Sequence, residues 1–193
     1  MLLTKKNKFF IEEGRIKEEL TDSNGIVLVR INIKYPEIKC GKRDKMSVFA
    51  KGFYKDMAEA FKKSALDELL PAAQHAYAGN PDEFVPFAAV MKYEITFESK
   101  VFLSVMQDIT VSDGKSNLIN KKKTQVWERE YGTKCKLSYF LNKKEISELI
   151  KEHFADKKGF DKELFVMRED GYEFFIRQGD EYFSDVIKIT QKI

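Results

Sequence analysis

Apolar and polar residues alternate along 91–141, and this alternation predicts paired strands. Tyr93, Ile95 and Phe97 are separated by polar residues, the period-two pattern of a strand with one buried and one solvated face. The next run, 101–111, is apolar on much of both faces, which is typical of a strand inside a sheet. We therefore expect Tyr93, Ile95 and Phe97 to share one buried face beside a central strand.

A turn and a returning strand are predicted after this central strand. Asp113-Gly114 is a strong turn pair, because glycine takes a positive φ angle without a Cβ clash. The segment 124–130 then returns as a strand, and Tyr131-Gly132 predicts the next turn.

Shorter strands are predicted near the N-terminus. The pattern favours two strands, 8–13 and 14–20, followed by an Asn24-Gly25 hairpin turn. The run 26–33 is β-branched and nearly all apolar, which suits a central strand, and Pro36 is expected to end it because proline lacks the amide donor. The expected inward residues are Phe9, Ile11, Ile16 and Leu20.

Between 44 and 78 the apolar residues recur every three or four positions instead of every second one. This spacing predicts a long amphipathic helix lying across the sheet. Pro71 is expected to kink or split it, because proline removes one hydrogen bond and clashes with the preceding turn. Gly79 and the residues after it predict the end of the helix. The predicted apolar stripe comprises Met46, Phe49, Phe53, Met57, Phe61, Ala65, Leu69, Ala72, Ala73 and Ala76.

A shorter helix is marked by its N-terminal capping signals. Asn142 can cap it while Glu145 reaches back, a capping box with Asn in place of Ser or Thr. Its end is expected near Gly159 and its buried stripe at Ile146, Leu149, Ile150 and Phe154. Three closing strands are predicted at 164–167, 172–177 and 186–190, the first two joined by an Asp170-Gly171 turn.

These elements predict an α+β fold, a twisted and mainly antiparallel sheet packed by one long helix and one shorter helix. A chain of 193 residues fits a single domain, 1–193, or two subdomains, 1–90 and 91–193, that share a core.

Composition narrows the function classes. The 34 basic and 31 acidic residues leave a net charge of +3, too weak and too dispersed to predict nucleic acid as a partner. No apolar run approaches the roughly 20 residues that span a bilayer. No apolar core of secretory length lies near the N-terminus. We therefore expect a cytoplasmic protein as the sequence stands, and an extracytoplasmic one if a leader has been removed.

Candidate catalytic and metal-binding chemistry is sparse. His75 and His153 are the only histidines and lack the spacing of paired ligands, so we expect no metal and no cofactor. Cys40 and Cys135 form either one disulfide or two free thiols. Free structural thiols are the expectation, since nothing else signals an oxidising compartment. The sequence contains no GxSxG, Gly-rich phosphate loop or CxxC motif, so we do not expect an enzyme.

The densest positive charge is the run Lys121-Lys122-Lys123. It either meets an anionic partner, such as a wall polymer or an acidic protein face, or guards an exposed loop and edge strand against pairing. Trp127, the sole tryptophan, either fills the core or offers a stacking surface to a sugar or a partner.

The order of these segments resembles a known family. It runs from a strand ending in INIKYPEI through a long helix, a YEITF strand and a FLSVMQD strand. QVWEREYGTKCKLSYFL, a short helix and a FVMREDGYEFFI hairpin follow. This order is similar to the domain-of-unknown-function family that forms the extracytoplasmic part of RsiV-type, lysozyme-sensing anti-sigma factors and precedes the catalytic part of some peptidoglycan deacetylases. The matching residues are Tyr35, Pro36, Ser104, Trp127, Tyr131, Gly132, Lys136, Leu137, Ser138 and Phe140. The resemblance implies a lysozyme-like protein or a cell-wall glycan as partner.

Two loops depart from that family's pattern. A Tyr-Thr-Gly-Gly-Ala-His-type loop usually follows the FLSVMQD-like strand, whereas 109–120 holds one glycine and no histidine. RQGDEYFSD replaces a turn that contains Pro-Tyr-Glu-Ile near the C-terminus. Because loops carry recognition and strands carry fold, the resemblance supports architecture better than ligand binding.

The leading hypothesis is a non-catalytic binding or sensing module in which loops at one end of the sheet, 108–123 and 178–185, hold a protein or cell-wall ligand. The alternatives are a hydrolase-like enzyme acting on cell-wall material and a cytosolic interaction protein that kept only the family scaffold. The oligomeric state is left open. The candidate binding residues are Asp113, Gly114, Lys115, Lys121, Lys122, Lys123 and Tyr182.

Overall fold

The computed structural model describes residues 10–39, 45–154, 160–178 and 181–187 and shows an α+β fold, as predicted. The strands are β1 (Phe10–Thr21), β2 (Val27–Lys39), β3 (Phe87–Glu98), β4 (Phe102–Ser112), β5 (Asn117–Glu128), β6 (Thr133–Cys135), β7 (Phe160–Arg168), β8 (Gly171–Gln178) and β9 (Glu181–Ile187). The helices are α1 (Lys45–Ser64), α2 (Leu70–Gly79), α3 (Leu137–Phe140) and α4 (Lys143–Leu149). Two π-helical turns, Ala65–Leu69 and Ile150–Phe154, and a 3-10 turn, Pro81–Glu83, complete the elements.

A six-stranded sheet in the order β1-β2-β3-β4-β5-β6 forms the centre of the fold. Neighbouring strands are antiparallel except β2 and β3, which are parallel and therefore need a long crossover. The helical run from α1 to α2 supplies this crossover and covers one face of the sheet. The three-stranded antiparallel sheet β7-β8-β9 covers the other face.

The buried side of the long helix differs from the predicted stripe. Its fully or nearly buried residues are Met46, Ala50, Tyr54, Ala58, Ala65, Leu69 and Ala73. Phe49 is 59% exposed, and Ala72 and Ala76 are exposed as well, so the prediction is wrong at these three positions. Two neighbouring rows of the helix are apolar, and the row with the small alanines lies closest to the sheet. The bulkier row, Phe53, Met57 and Phe61, is half-buried along one side.

The break expected at Pro71 is a change of helical winding. The π-helical turn Ala65–Leu69 directly precedes α2, and Pro71 is the second residue of α2. The backbone is helical on both sides, so Pro71 removes one hydrogen bond inside a continuous helical run, and the wider π-helical turn directly before it accommodates the proline ring. The chain therefore continues as helix to Gly79, the predicted end.

The first two strands are longer than predicted. β1 is one continuous strand, and β2 runs past Pro36 to Lys39. Among the described strands, β2 has β3 as a neighbour only along 29–33, so beyond that point it pairs with β1 alone. Proline is tolerated in such an edge position, where its lack of an amide donor breaks no bond on the unpaired side.

A β-bulge in β3 reverses the predicted direction of Phe97. The register shifts between Ile95 and Phe97, and Phe97 lies opposite Ser104. Tyr93 and Ile95 face the long helix, whereas Phe97 packs into the core beneath the three-stranded sheet. The inserted residue, Thr96, donates its hydroxyl hydrogen to Ser104 Oγ at 2.8 Å.

The second core lies between the two sheets. Asn142 and Glu145 form the predicted capping box at the start of α4. Leu149 and Phe154 are buried and Ile146 and Ile150 pack beside them, as predicted. The predicted helix end near Gly159 lies outside the described residues. β9 begins at Glu181 rather than at 186.

Candidate functional site

Asp113 and Gly114 form the turn between β4 and β5, and both are occupied in shaping it. The Asp113 carboxylate accepts hydrogen bonds from the backbone amides of Ser116 at 2.7 Å and Lys115 at 2.9 Å, and these bonds lower its pKa. Gly114 has a φ of +86°, and a Cβ there would lie 2.8 Å from the carbonyl oxygen of Val85. The carboxylate proposed for ligand binding is thus already used inside the turn.

Lys121, Lys122 and Lys123 lie within β5, so the predicted loop 108–123 is wrong: it consists of two strands and a short turn. Lys121 and Lys123 face the long helix, since alternate strand residues share a face and their partners on β4 point that way. Lys122 points to the other face, where it pairs with Asp108 and lies 5.2 Å from the ring centroid of Phe175. The run is therefore split between two faces of the sheet.

Tyr182 does not join these residues. The predicted loop 178–185 is mostly strand, because β8 ends at Gln178 and β9 begins at Glu181. Tyr182 is half-buried against the core of the three-stranded sheet. The six-stranded sheet separates it from Lys121 and Lys123.

A groove between α1 and the strands β5 and β6 brings lysines and apolar side chains together. Lys123 Nζ lies 3.7 Å from Met57 Sδ, and Lys134 Nζ lies 3.5 Å from the ring centroid of Phe53. Lys121 and Phe61 line one cleft at the end of this groove. We call it the lysine groove, defined by Phe53, Met57 and Phe61 on α1, Lys121 and Lys123 on β5, and Lys134 on β6.

The cleft at the end of the lysine groove has a volume of ≈ 160 Å³. Its floor is apolar and consists of Ile109, Val111 and Ile119, and its helical wall includes the π-helical turn. Glu68 also lines it, and the Ser64 hydroxyl donates to Glu68 Oε1 at 2.9 Å. An apolar floor with a few polar groups at the rim is the usual construction of a ligand site.

The lysines of the groove carry positive charge without ion-pair partners in the described part of the chain. Lys121, Lys123 and Lys134 are exposed, and none of them forms a salt bridge there. Burial lowers the pKa of Lys134, and the charge of Lys123 lowers it further. A bound anion would offset this repulsion.

Two buried glutamines lie next to the groove in the sheet register. Gln107 lies opposite Lys123, and Gln125 lies on the same helix-facing side. Gln107 is fully buried and Gln125 is 8% exposed, yet the Oε1 atom of each accepts no hydrogen bond from the described residues. Because an unpaired buried oxygen costs about 1–3 kcal/mol, the helix-facing side of the sheet is not optimised for stability at this point.

Trp127 fills the core. It is 3% exposed, and its Nε1 donates a hydrogen bond to Tyr54 Oη at 2.8 Å. The core role is therefore confirmed, and the alternative of a stacking surface is wrong.

The described residues offer little for catalysis. Cys135 is free and buried, and burial raises the pKa of its thiol to about 11. Cys40 lies outside the described residues. His75 and His153 are exposed on separate helices, and no three described His, Cys, Asp or Glu side chains are grouped to hold a metal ion. Nothing positive indicates an enzyme.

Cys135 is expected to be unreactive in the native protein. In a Cys40→Ser variant at pH 8, iodoacetamide should alkylate Cys135 at least tenfold more slowly than in the urea-unfolded chain, because burial limits both access and the thiolate fraction. The raised pKa favours folding below pH 9, and this contribution is lost as the pH rises from 9 towards 11. Mass spectrometry of timed samples measures the rate. Equal rates in the two states would contradict the buried placement.

Comparisons with known proteins support the fold alone. No family model and no curated protein matches the sequence. A solved structure of a DUF3298 family member from Bacteroides fragilis aligns with a TM-score of 0.55 and 16% identity over 95% of this chain and 92% of that one. A DUF3298 family protein from Pseudomonas aeruginosa aligns with a TM-score of 0.57 and 9% identity over 92% and 90%. The structural neighbours thus belong to a domain-of-unknown-function family.

No helix within the described ranges combines the length and the apolar content that crossing a membrane demands.

Proposed function

We propose that this protein is a non-catalytic binding module whose site is the lysine groove and whose ligand carries negative charge beside an apolar group. One observation carries the proposal: three lysines without salt bridges in the described residues face a half-buried apolar row. An acidic protein segment and an anionic wall polymer both have this chemistry. Recognition is thus assigned to strand residues rather than to the predicted loops.

The construction of the groove supports binding of more than a loose counter-ion. Exposed lysine–carboxylate pairs contribute only about 0–1 kcal/mol each. Lys123 and Lys134, however, lie against Met57 and Phe53, so an anion that reaches them also covers apolar surface and is partly shielded from water. Hydrogen bonds that involve a charged group in such a setting contribute about 1.5–3 kcal/mol.

Reversing the two lysine charges on β5 should remove binding. We expect Lys121→Glu/Lys123→Glu to weaken binding of an acidic peptide or of teichoic acid at least tenfold, measured by isothermal titration calorimetry. The matched control, Lys17→Glu/Lys100→Glu, makes the same change of net charge at exposed positions outside the groove and should stay within twofold. Equal losses in both variants would show a general charge effect and contradict the proposed site.

The partners implied by the family resemblance are tested by the same calorimetric titration. A lysozyme-like protein and an uncharged cell-wall glycan serve as probes beside the anionic ones. Binding of either that survives Lys121→Glu/Lys123→Glu would place its site elsewhere on the protein. Release of soluble fragments from cell-wall material by the pure protein would favour the hydrolase-like alternative.

A further inference from the structure

We infer that the lysine groove takes an extended acidic polypeptide segment, which adds as a strand to the free edge of β5. This inference rests on the proposed function and specifies its ligand class. β4 pairs with β5 along almost its whole length, but β6 pairs only with 126–128. Between Asn117 and Gln125 the outer edge of β5 therefore has no hydrogen-bonded strand partner among the residues that the structure describes. β7 approaches on the face away from the long helix, where the Thr124 hydroxyl donates to the Glu163 carbonyl oxygen at 3.3 Å. Such an edge presents backbone donors and acceptors to another chain.

The edge of β5 is regular enough to act as a template. Its register with β4 runs without a shift from Ile119 to Glu128. It contains no proline. Its lysines are the feature that protects this edge against unwanted strand pairing. Lysines disfavour a basic or neutral strand, whereas an acidic strand would find complementary charge. The same residues that prevent unselective pairing therefore select the partner.

The opposite edge of the sheet, β1, has a different charge arrangement. Its exposed charges are of both signs, and several are paired with each other or with β2. The salt bridges are Glu13 with Arg15 and Lys34, Glu12 with Lys39, and Glu19 with Arg30. An added strand at β1 would compete with these pairs. On the helix-facing side of β5 no described carboxylate pairs with Lys121 or Lys123, so an incoming acidic side chain displaces nothing.

Strand geometry defines the partner further. Every second side chain of an added strand would lie on the helix-facing side, directly beside Lys121 and Lys123. The partner should therefore carry acidic residues at positions i and i+2. Because β6 occupies the edge from Val126 onward, the added strand ends beside Lys134 and Phe53.

Peptides with altered backbones test this inference on the full chain. The probe is a ten-residue peptide of alternating Glu and Val, blocked at both ends. Two further versions carry N-methyl groups on the odd or on the even amides. Only one of these two should bind at least tenfold more weakly, because a strand directs alternate amides towards its neighbour. The unmodified peptide should slow hydrogen exchange at least fivefold at those alternate amides of 117–125 that point away from β4, measured by NMR.

The outcomes distinguish two claims, strand addition of an acidic polypeptide and anion binding in the lysine groove. Equal binding of all three peptides would overturn strand addition and leave the proposed function intact, since the charges alone would then suffice. Dodecanoate, a carboxylate with an apolar tail and no peptide backbone, is the comparison ligand. If it binds and no peptide does, the polypeptide class is overturned and the groove again remains an anion site. If neither the peptides nor any anionic probe binds, the proposed function falls as well.

Discussion

Replacing Trp127 by alanine should destabilise the protein by about 3–5 kcal/mol, the cost usual for removing a large buried aromatic side chain. Trp127 is 3% exposed and packs edge-on against Phe53, with ring centroids 5.5 Å apart. Its indole Nε1 also donates a hydrogen bond to Tyr54, which is fully buried. Alanine therefore leaves a cavity and an unpaired tyrosine hydroxyl. Urea denaturation followed by far-UV circular dichroism measures the loss.

Two variants separate the contributions to this loss. Trp127→Phe keeps most of the ring volume and loses the hydrogen bond, so we expect a cost of about 1–2 kcal/mol. Tyr131→Ala removes an aromatic ring that is 61% exposed and should change stability by less than about 0.5 kcal/mol. A loss below 1 kcal/mol in Trp127→Ala would contradict the structural role of the tryptophan.

Local features of the sequence were sufficient to predict most elements. The Asp113-Gly114 and Tyr131-Gly132 turns are confirmed, because a positive φ angle is a property of single residues. The capping box at Asn142 is confirmed for the same reason, since it needs only residues three positions apart. The run 101–111, apolar on much of both faces, correctly predicted the central strand β4, whose two faces are both covered.

Predictions that depended on distant parts of the chain were less accurate. Alternation placed Phe97 with Ile95, but the bulge that separates them depends on how β3 pairs with β4. Phe49 belongs to an apolar row of the helix, and only packing on the sheet decides which row is buried. Pro36 is predicted to end β2, but β2 continues past it. Proline is tolerated there because β3 does not extend that far, and the local sequence does not show this.

The candidate site likewise combines a feature that the local sequence shows with features that depend on distant parts of the chain. The lysine run is visible in the sequence, and its division between two faces follows only from the strand that contains it. Lys134 was missed because a three-residue strand, β6, brings it beside Lys123 and Phe53. Gln107 carries no motif, and its unpaired Oε1 becomes visible only when its neighbours on the sheet are known.

One chemical change, glycine to alanine, should have opposite effects at Gly132 and Gly52. Gly132 has a φ of +69°, and a Cβ there would lie 2.9 Å from the carbonyl carbon of Lys45. The left-handed conformation and a backbone contact that cannot easily yield together should cost about 2–3 kcal/mol. Gly52 lies inside α1 with nothing within 4 Å of its Cβ position, so alanine there should stabilise the protein by about 0.5–1 kcal/mol.

The turn around Gly132 explains why its cost should not be relieved by local movement. The buried Glu128 carboxylate accepts hydrogen bonds from the amides of Glu130 at 2.7 Å and Tyr131 at 2.9 Å, and Gly132 donates its own amide hydrogen to the Glu128 carbonyl at 3.1 Å. A shift that makes room for a Cβ would break these bonds inside a buried site. Denaturation of both variants under identical conditions measures the difference. A stabilised Gly132→Ala would mean that the turn is held far less firmly than these hydrogen bonds indicate, and with it the position of β6 and of Lys134 in the lysine groove.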